Sequence, residues 1–246
     1  MKNNNDLYKD FFTKKEANIL FLISIIICFY SVNKKSHLGL DYIEYFISIL
    51  NDGTTFNMLF IIVPLLLNIK FYTYIDNNYL IKLRYKNYKE HYKFLSKSII
   101  KMNSIYFLTI ICILITILNF SFSNFEIEYY EFNNTLNIIY FIFILLKTYL
   151  LSKIIYKIFF ISLTNFKSNL IVFLIASLFI ININYPTLLY FNNYKTLNFG
   201  NYVASLQCNN FLQEILYNFI YIVSIYILII FVEKFLKRRI KHGNYS

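Results

Sequence analysis

The chain reads as an all-α integral membrane protein with six transmembrane helices and both termini cytoplasmic. Three observations predict it. Of the 246 residues, 58% are hydrophobic and the mean hydropathy is +0.50, where a soluble domain is about 45–50% apolar. Only 4 Gly and 2 Pro are present, too few for the repeated turns of a β-rich fold. The length holds about six crossings at ~20 residues each, joined by short links.

The crossings follow in order. Residues 1–16 (MKNNNDLYKDFFTKKE) are polar, with Leu7, Phe11 and Phe12 at helical spacing, and suit a short interfacial helix. The first apolar run, 17–32, follows this charged start without a small-residue cleavage site, so it reads as a retained span. Residues 42–50 form an amphipathic surface segment. The second span, 56–75, contains Pro64, which predicts a kink because the ring removes one hydrogen bond and crowds the preceding turn. Span three covers 105–122, span four 137–160, span five 170–183 and span six 215–232. Residues 184–214 form a polar outer loop that suits a partial re-entry or a surface helix, and the chain ends on a strongly basic EKFLKRRIKHGNYS.

Charge sets the orientation. With the N-terminus inside, the outer links hold Lys34, Lys35 and Lys195 alone among 24 Lys and Arg. Asp41, Glu44, Asp52, Glu126, Glu128, Glu131 and Glu214 face outward. The positive-inside rule then places both termini in the cytoplasm of a bacterial cell membrane. The same placement explains the net charge of +11 without a nucleic-acid partner, because the cations sit at membrane boundaries. The 27 Phe and 24 Tyr accompany abundant Ile, Asn and Lys, a bias of AT-rich coding sequence, and carry no functional argument.

The most informative stretch is 79–102 (YLIKLRYKNYKEHYKFLSKSIIKM), between spans two and three. At roughly 100° per residue, Ile81, Tyr85, Tyr88, Tyr92, Leu95 and Ile99 fall within about 40° of one line. Lys82, Lys86, Lys89, Lys93 and Lys97 fall on a second stripe roughly 120° away. Such a helix belongs on an anionic lipid surface or against a partner protein. Its cytoplasmic placement favours docking by the Tyr and Ile stripe, with the lysine stripe on the membrane surface.

Catalytic motifs are missing. None of Gly39, Gly53, Gly200 and Gly243 has the spacing of a Walker phosphate loop. There is no HExxH sequence, and His37, His91 and His242 lie far apart, so neither a metal nor any other cofactor is expected. No nucleophilic Ser lies in a Gly-x-Ser-x-Gly turn. No pair of carboxylates lies inside a span to act as acid and base, which weighs against membrane proteases and carboxylate-driven antiporters. Cys28, Cys112 and Cys208 have no metal-ligand spacing and read as packing residues. Lys147, about eleven residues into span four, is placed near mid-bilayer. It either lines a path or, if the long span slides or tilts, reaches an interface or an interhelical polar contact. Asn119 and Ser152 read as interhelical hydrogen-bond partners.

Six spans with this charge pattern resemble the permease subunits of ABC-2 type exporters, notably the small ones of low-GC Gram-positive bacteria. The resemblance rests on FIIVPLLL around Pro64, on LIKLRYKNYKEHYKFLSKSI with Arg84, Lys86 to Lys89 and Tyr92, and on the basic exit FVEKFLKRRI. It implies an ABC-2 type bundle, a permease dimer in the lipid bilayer, and separate ATP-binding subunits on the cytoplasmic face. It further implies that the interfacial N-terminal helix and a coupling helix at 79–102, with Ile81, Arg84, Tyr85, Tyr88, Tyr92 and Leu95 as contacts, sit on those ATPases. This chain would then be no enzyme itself. The cargo by analogy is a peptide, an antimicrobial or a lipid-like molecule. Two other classes share the topology: a non-transporting immunity or sensor protein, and a secondary carrier. The carrier predicts inverted repeats and broken helices, and no such repeat joins 17–122 to 137–232.

Overall fold

A computed structural model describes residues 4–35, 42–78, 88–121, 134–166 and 169–184, with single helical positions between 216 and 234. Every regular element among the described residues is helical. Helix α1 is Asn4–Phe12, α2 Lys15–Lys35, α3 Tyr42–Asn51 and α4 Gly53–Phe56. A π turn, Asn57–Ile62, leads into α5, Val63–Asp76. Then come α6, Tyr88–Ser121, α7, Asn134–Phe166, and α8, Asn169–Asn184.

Helix α1 forms because Leu7, Tyr8, Phe11 and Phe12 share one side, and Tyr8 and Phe11 are buried. It turns into α2 through the Lys14 amide, which donates to the Phe11 carbonyl at 3.0 Å. Helix α2 is apolar all round, the pattern of a lipid-immersed segment, and Ile19, Leu22, Ile26 and Phe29 are exposed along it. Its last turn leaves carbonyls without intrahelical donors, and the Tyr45 hydroxyl of α3 donates to one of them, on Val32.

Asp52 caps the next crossing. Its carboxylate accepts from the Thr55 amide at 3.0 Å and the Thr55 hydroxyl at 2.8 Å, the bond expected of an N-cap. The Lys34 ammonium adds an ion pair at 3.2 Å. Burial alone would raise the Asp52 pKa, but the two Thr55 donors and Lys34 outweigh it and hold the carboxyl below its ordinary value. Ser31 and Thr55 meet at 2.8 Å, so α2 and α4 are tied at this end.

The π turn and α5 form the centre, touching α2, α6 and α7. Phe60, Leu65, Leu67 and Phe71 are buried along it. Helices α6 and α7 run antiparallel: Tyr92 meets Phe160 at 5.1 Å and Phe107 meets Tyr149 at 5.3 Å between ring centroids.

Three stretches among the described residues, Lys15–Lys34, Gly53–Asp76 and Glu90–Phe120, are long and apolar enough to cross a membrane. A shorter apolar helix covers Asn169–Leu178. From Tyr88 onward the described part of the coupling segment and the third span form one unbroken helix, α6; residues 79–87 lie outside the described residues. Nothing in the sequence between Met102 and Ile105 breaks a helix, since Asn103 and Ser104 bond within it. Pro64 stands at the start of α5, immediately after the π turn, so the irregularity it was expected to cause takes the form of a change of hydrogen-bond register. Of the loop expected at 184–214, Asn184 ends α8 and the rest lies outside the described residues, as does the basic tail beyond Lys234.

Candidate functional site: the lysine-bearing end

The start of α2, the end of α5, the start of α6 and the end of α7 lie at one end of the bundle. Lys14, Lys15, Lys70, Lys93, Lys97, Lys101, Lys153 and Lys157 belong to this half. At the opposite end, Lys34 is neutralised by Asp52.

Helix α6 has 34 residues, about 51 Å at 1.5 Å per residue. A bilayer core of ~30 Å needs only ~20 of them. The surplus is the lysine-bearing turns. Counting back from Ile105, where the apolar half starts, Lys101 stands about 6 Å out, Lys97 about 12 Å and Lys93 about 18 Å. The headgroup layer is only about 5–8 Å deep on each side. A typical tilt of about 20° shortens these heights by a few per cent. With the crossing taken to start at Ile105, Lys101 falls at headgroup depth and Lys93 beyond it.

The two stripes divide as follows. Tyr92 and Leu95 are buried, 5% and 4% exposed, with Ile99 and Met102 behind them. Tyr92 packs on Phe160 of α7. The apolar stripe, read from sequence as a docking face, is at these positions part of the chain's own core. Lys93, Lys97 and Lys101 are exposed. Tyr88 and Lys89 lie in the first turn of α6, with side chains outside the described set. Ile81, Lys82, Arg84, Tyr85 and Lys86 lie outside the described residues altogether.

Helix α1 braces this end. Tyr8 stacks on Phe71 at 5.9 Å and Phe11 meets the same ring edge-on at 4.9 Å. The Lys101 ammonium lies 4.8 Å from the Tyr8 ring centroid, and Lys14 lies 5.1 Å from that of Tyr74. Burial raises the Tyr8 pKa, partly offset by its hydrogen bond to Ser98 of α6. Glu16 and Lys70 pair at 3.0 Å and line an open groove of about 490 Å³ together with Phe11, Thr73, Asn77 and Asn78. Both partners of that pair are well exposed, so it adds little stability.

Lys147 is buried, 5% exposed, and engaged in a contact of its own. Its neighbour Tyr149 meets Phe107 and also reaches Ser104 at 3.1 Å. Lys147 is thus level with roughly Phe107 to Thr109 of α6, within about one turn of the start of the apolar half. It stands about one helical turn inside the apolar half of α6, toward the lysine-bearing end. Farther out on α7, the Lys153 ammonium lies 5.9 Å from the Tyr149 ring centroid and Lys157 lies 5.1 Å from that of Tyr226.

Of the two expected interhelical partners, Ser152 bonds to the Tyr149 carbonyl of its own helix, and Asn119, though exposed, has a contact of its own. The helices are joined by Asn103 donating to Asn68 at 2.8 Å, by Ser104 with Tyr149, and by Ser24 with Tyr106 at 3.0 Å. A signal for these exists in the sequence: Ser24, Asn68 and Asn103 are isolated polar residues in or beside apolar runs. Among the described residues no group of His, Cys, Asp and Glu could hold a metal ion. Comparison with protein-family models, with curated proteins and with solved structures finds no match to this chain.

Proposed function

We propose that the chain is the membrane-spanning subunit of an ATP-driven exporter of the ABC-2 permease kind, powered by a separate ATP-binding protein on the lysine-bearing end. The reading includes six spans, cytoplasmic termini, a permease dimer in a bacterial cell membrane, and a peptide, antimicrobial or lipid-like cargo. The observation that carries it is α6 itself. A row of exposed lysines, four residues apart, stands on a helix that continues without a break into a membrane-length apolar stretch. Lipid accounts for Lys101, and Lys97 stands at the edge of headgroup reach. Lys93 stands beyond headgroup reach, where an acidic protein surface is the fitting partner. Because the helix is continuous, force on the row is delivered to the span. The sequence carries no nucleotide-binding motif, so the energy for transport has to come from another chain.

Charge reversal tests this better than changes to the tyrosines, since Tyr92→Asp would bury an unpaired charge and unfold the end of the bundle. In membranes of the native host, Lys93→Glu with Lys97→Glu should release a co-purifying ATP-binding protein and abolish its stimulated ATP hydrolysis, while Lys34→Glu at the opposite end should not. If no ATP-binding protein accompanies the wild-type chain, or if the reversed chain keeps it in full, the proposal falls.

A further inference from the structure

Pro64 leaves a gap that a distant side chain fills. In the π turn the Val63 amide donates to the Met58 carbonyl, five residues back. In the same register the Leu59 carbonyl would accept from residue 64, which is a proline and has no N–H. Leu59 is fully buried, and a buried carbonyl without a donor is costly. The Tyr106 hydroxyl of α6 donates to it at 3.0 Å. With its own proton on the Leu59 carbonyl, the Tyr106 oxygen can accept from Ser24 of α2, 3.0 Å away. Ser24 and Tyr106 are both 0% exposed. Ser24 also has a second acceptor within reach, the Leu20 carbonyl of its own helix at 2.9 Å.

We infer that Ser24, Tyr106 and the Leu59 carbonyl form a latch, in which the Tyr106 hydroxyl replaces the peptide donor that Pro64 removes and pins the π turn to α2 and α6. Release frees the central crossing to pivot at the turn, the one place where its backbone ladder is already interrupted. Ser24 loses nothing on release, because its hydroxyl returns to Leu20. Tyr106 lies on α6, five residues beyond Lys101, so a displacement of the lysine row reaches the latch through continuous helix. That last step rests on the proposed function; the latch does not.

The test uses the full chain alone in detergent micelles, so its outcome is independent of any partner. Amide exchange is followed across residues 57–66. Tyr106→Phe should accelerate it about three- to twentyfold, the range one interhelical hydrogen bond in a membrane protein supports. Ser24→Ala, which loosens Tyr106 but leaves its proton, should have a smaller effect. In Pro64→Ala the missing N–H is restored, and adding Tyr106→Phe should then change exchange less than twofold, a non-additivity that identifies the shared carbonyl. Equal effects of Tyr106→Phe with and without Pro64 overturn the inference. Should Pro64→Ala fail to fold, unchanged exchange in Tyr106→Phe alone overturns it, and acceleration confined to 57–66 supports it.

Discussion

At the scale of single residues, the central question is how a largely apolar chain selects one arrangement of helices. Apolar faces in lipid discriminate poorly, because tails are as apolar as Leu. Buried amides and hydroxyls discriminate well, since each must find its partner. Asn68 and Asn103 are 0% and 1% exposed and share one hydrogen bond, with Asn103 also donating to the Ile99 carbonyl at 3.0 Å. The Asn68 Nδ2 and Asn103 Oδ1 atoms have no hydrogen-bond partner among the described residues. The pair therefore fixes the register of α5 against α6 more than it stabilises the fold. Asn103→Leu should cost about 1–3 kcal/mol, because it strands Asn68. Asn68→Leu with Asn103→Leu should cost less than the single change. Equilibrium unfolding in mixed micelles measures both, and a double variant as unstable as the sum of the singles rejects this account.

At the scale of elements, the long apolar helices were legible because a continuous apolar run is a property of composition and needs no knowledge of neighbours. Helix α1 was legible for a related reason, since Leu7, Phe11 and Phe12 fall at helical spacing within a polar stretch. The division of labour along α6 was not. Periodicity finds two stripes but cannot say which faces the chain's own core, and the residue that decides it, Phe160, lies far along the sequence from Tyr92. The π turn was half legible: Pro64 announces a missing donor, whereas the replacement comes from Tyr106 on another helix. For α1 the packing makes a prediction. Its two buried rings both rest on Phe71, so Phe71→Ala should free the helix while leaving the rest of the bundle assembled. Trypsin should then cut after Lys14 or Lys15 many times faster than in the parent chain. Unchanged cleavage would mean that the Phe12 contact with Phe21, at 5.5 Å, holds α1 without Phe71.

For the whole molecule, the proposed orientation, with the lysine-bearing end in the cytoplasm and clear of the bilayer, rests on the distribution of charge together with the length of α6. Among the described residues the opposite end has no comparable row of exposed cations: Lys34 sits at the other end of α2 from Lys15 and is paired with Asp52. A potential that is negative inside favours this orientation, as does the anionic inner leaflet. The claim is measurable with cysteines placed singly at Lys97, Lys93 and Lys34 in a chain whose Cys28, Cys112 and Cys208 are replaced. In intact cells a membrane-impermeant maleimide should label the position-34 variant alone. In inverted vesicles it should label those at positions 93 and 97. A water-dispersed quencher, read against a lipid-embedded one, then ranks depth: position 93 should respond like a soluble site, and position 97 should fall between it and the headgroups. Equal protection at 93 and 97 would mean that α6 lies along the surface, and the lysine row would then be a lipid contact with no partner to explain.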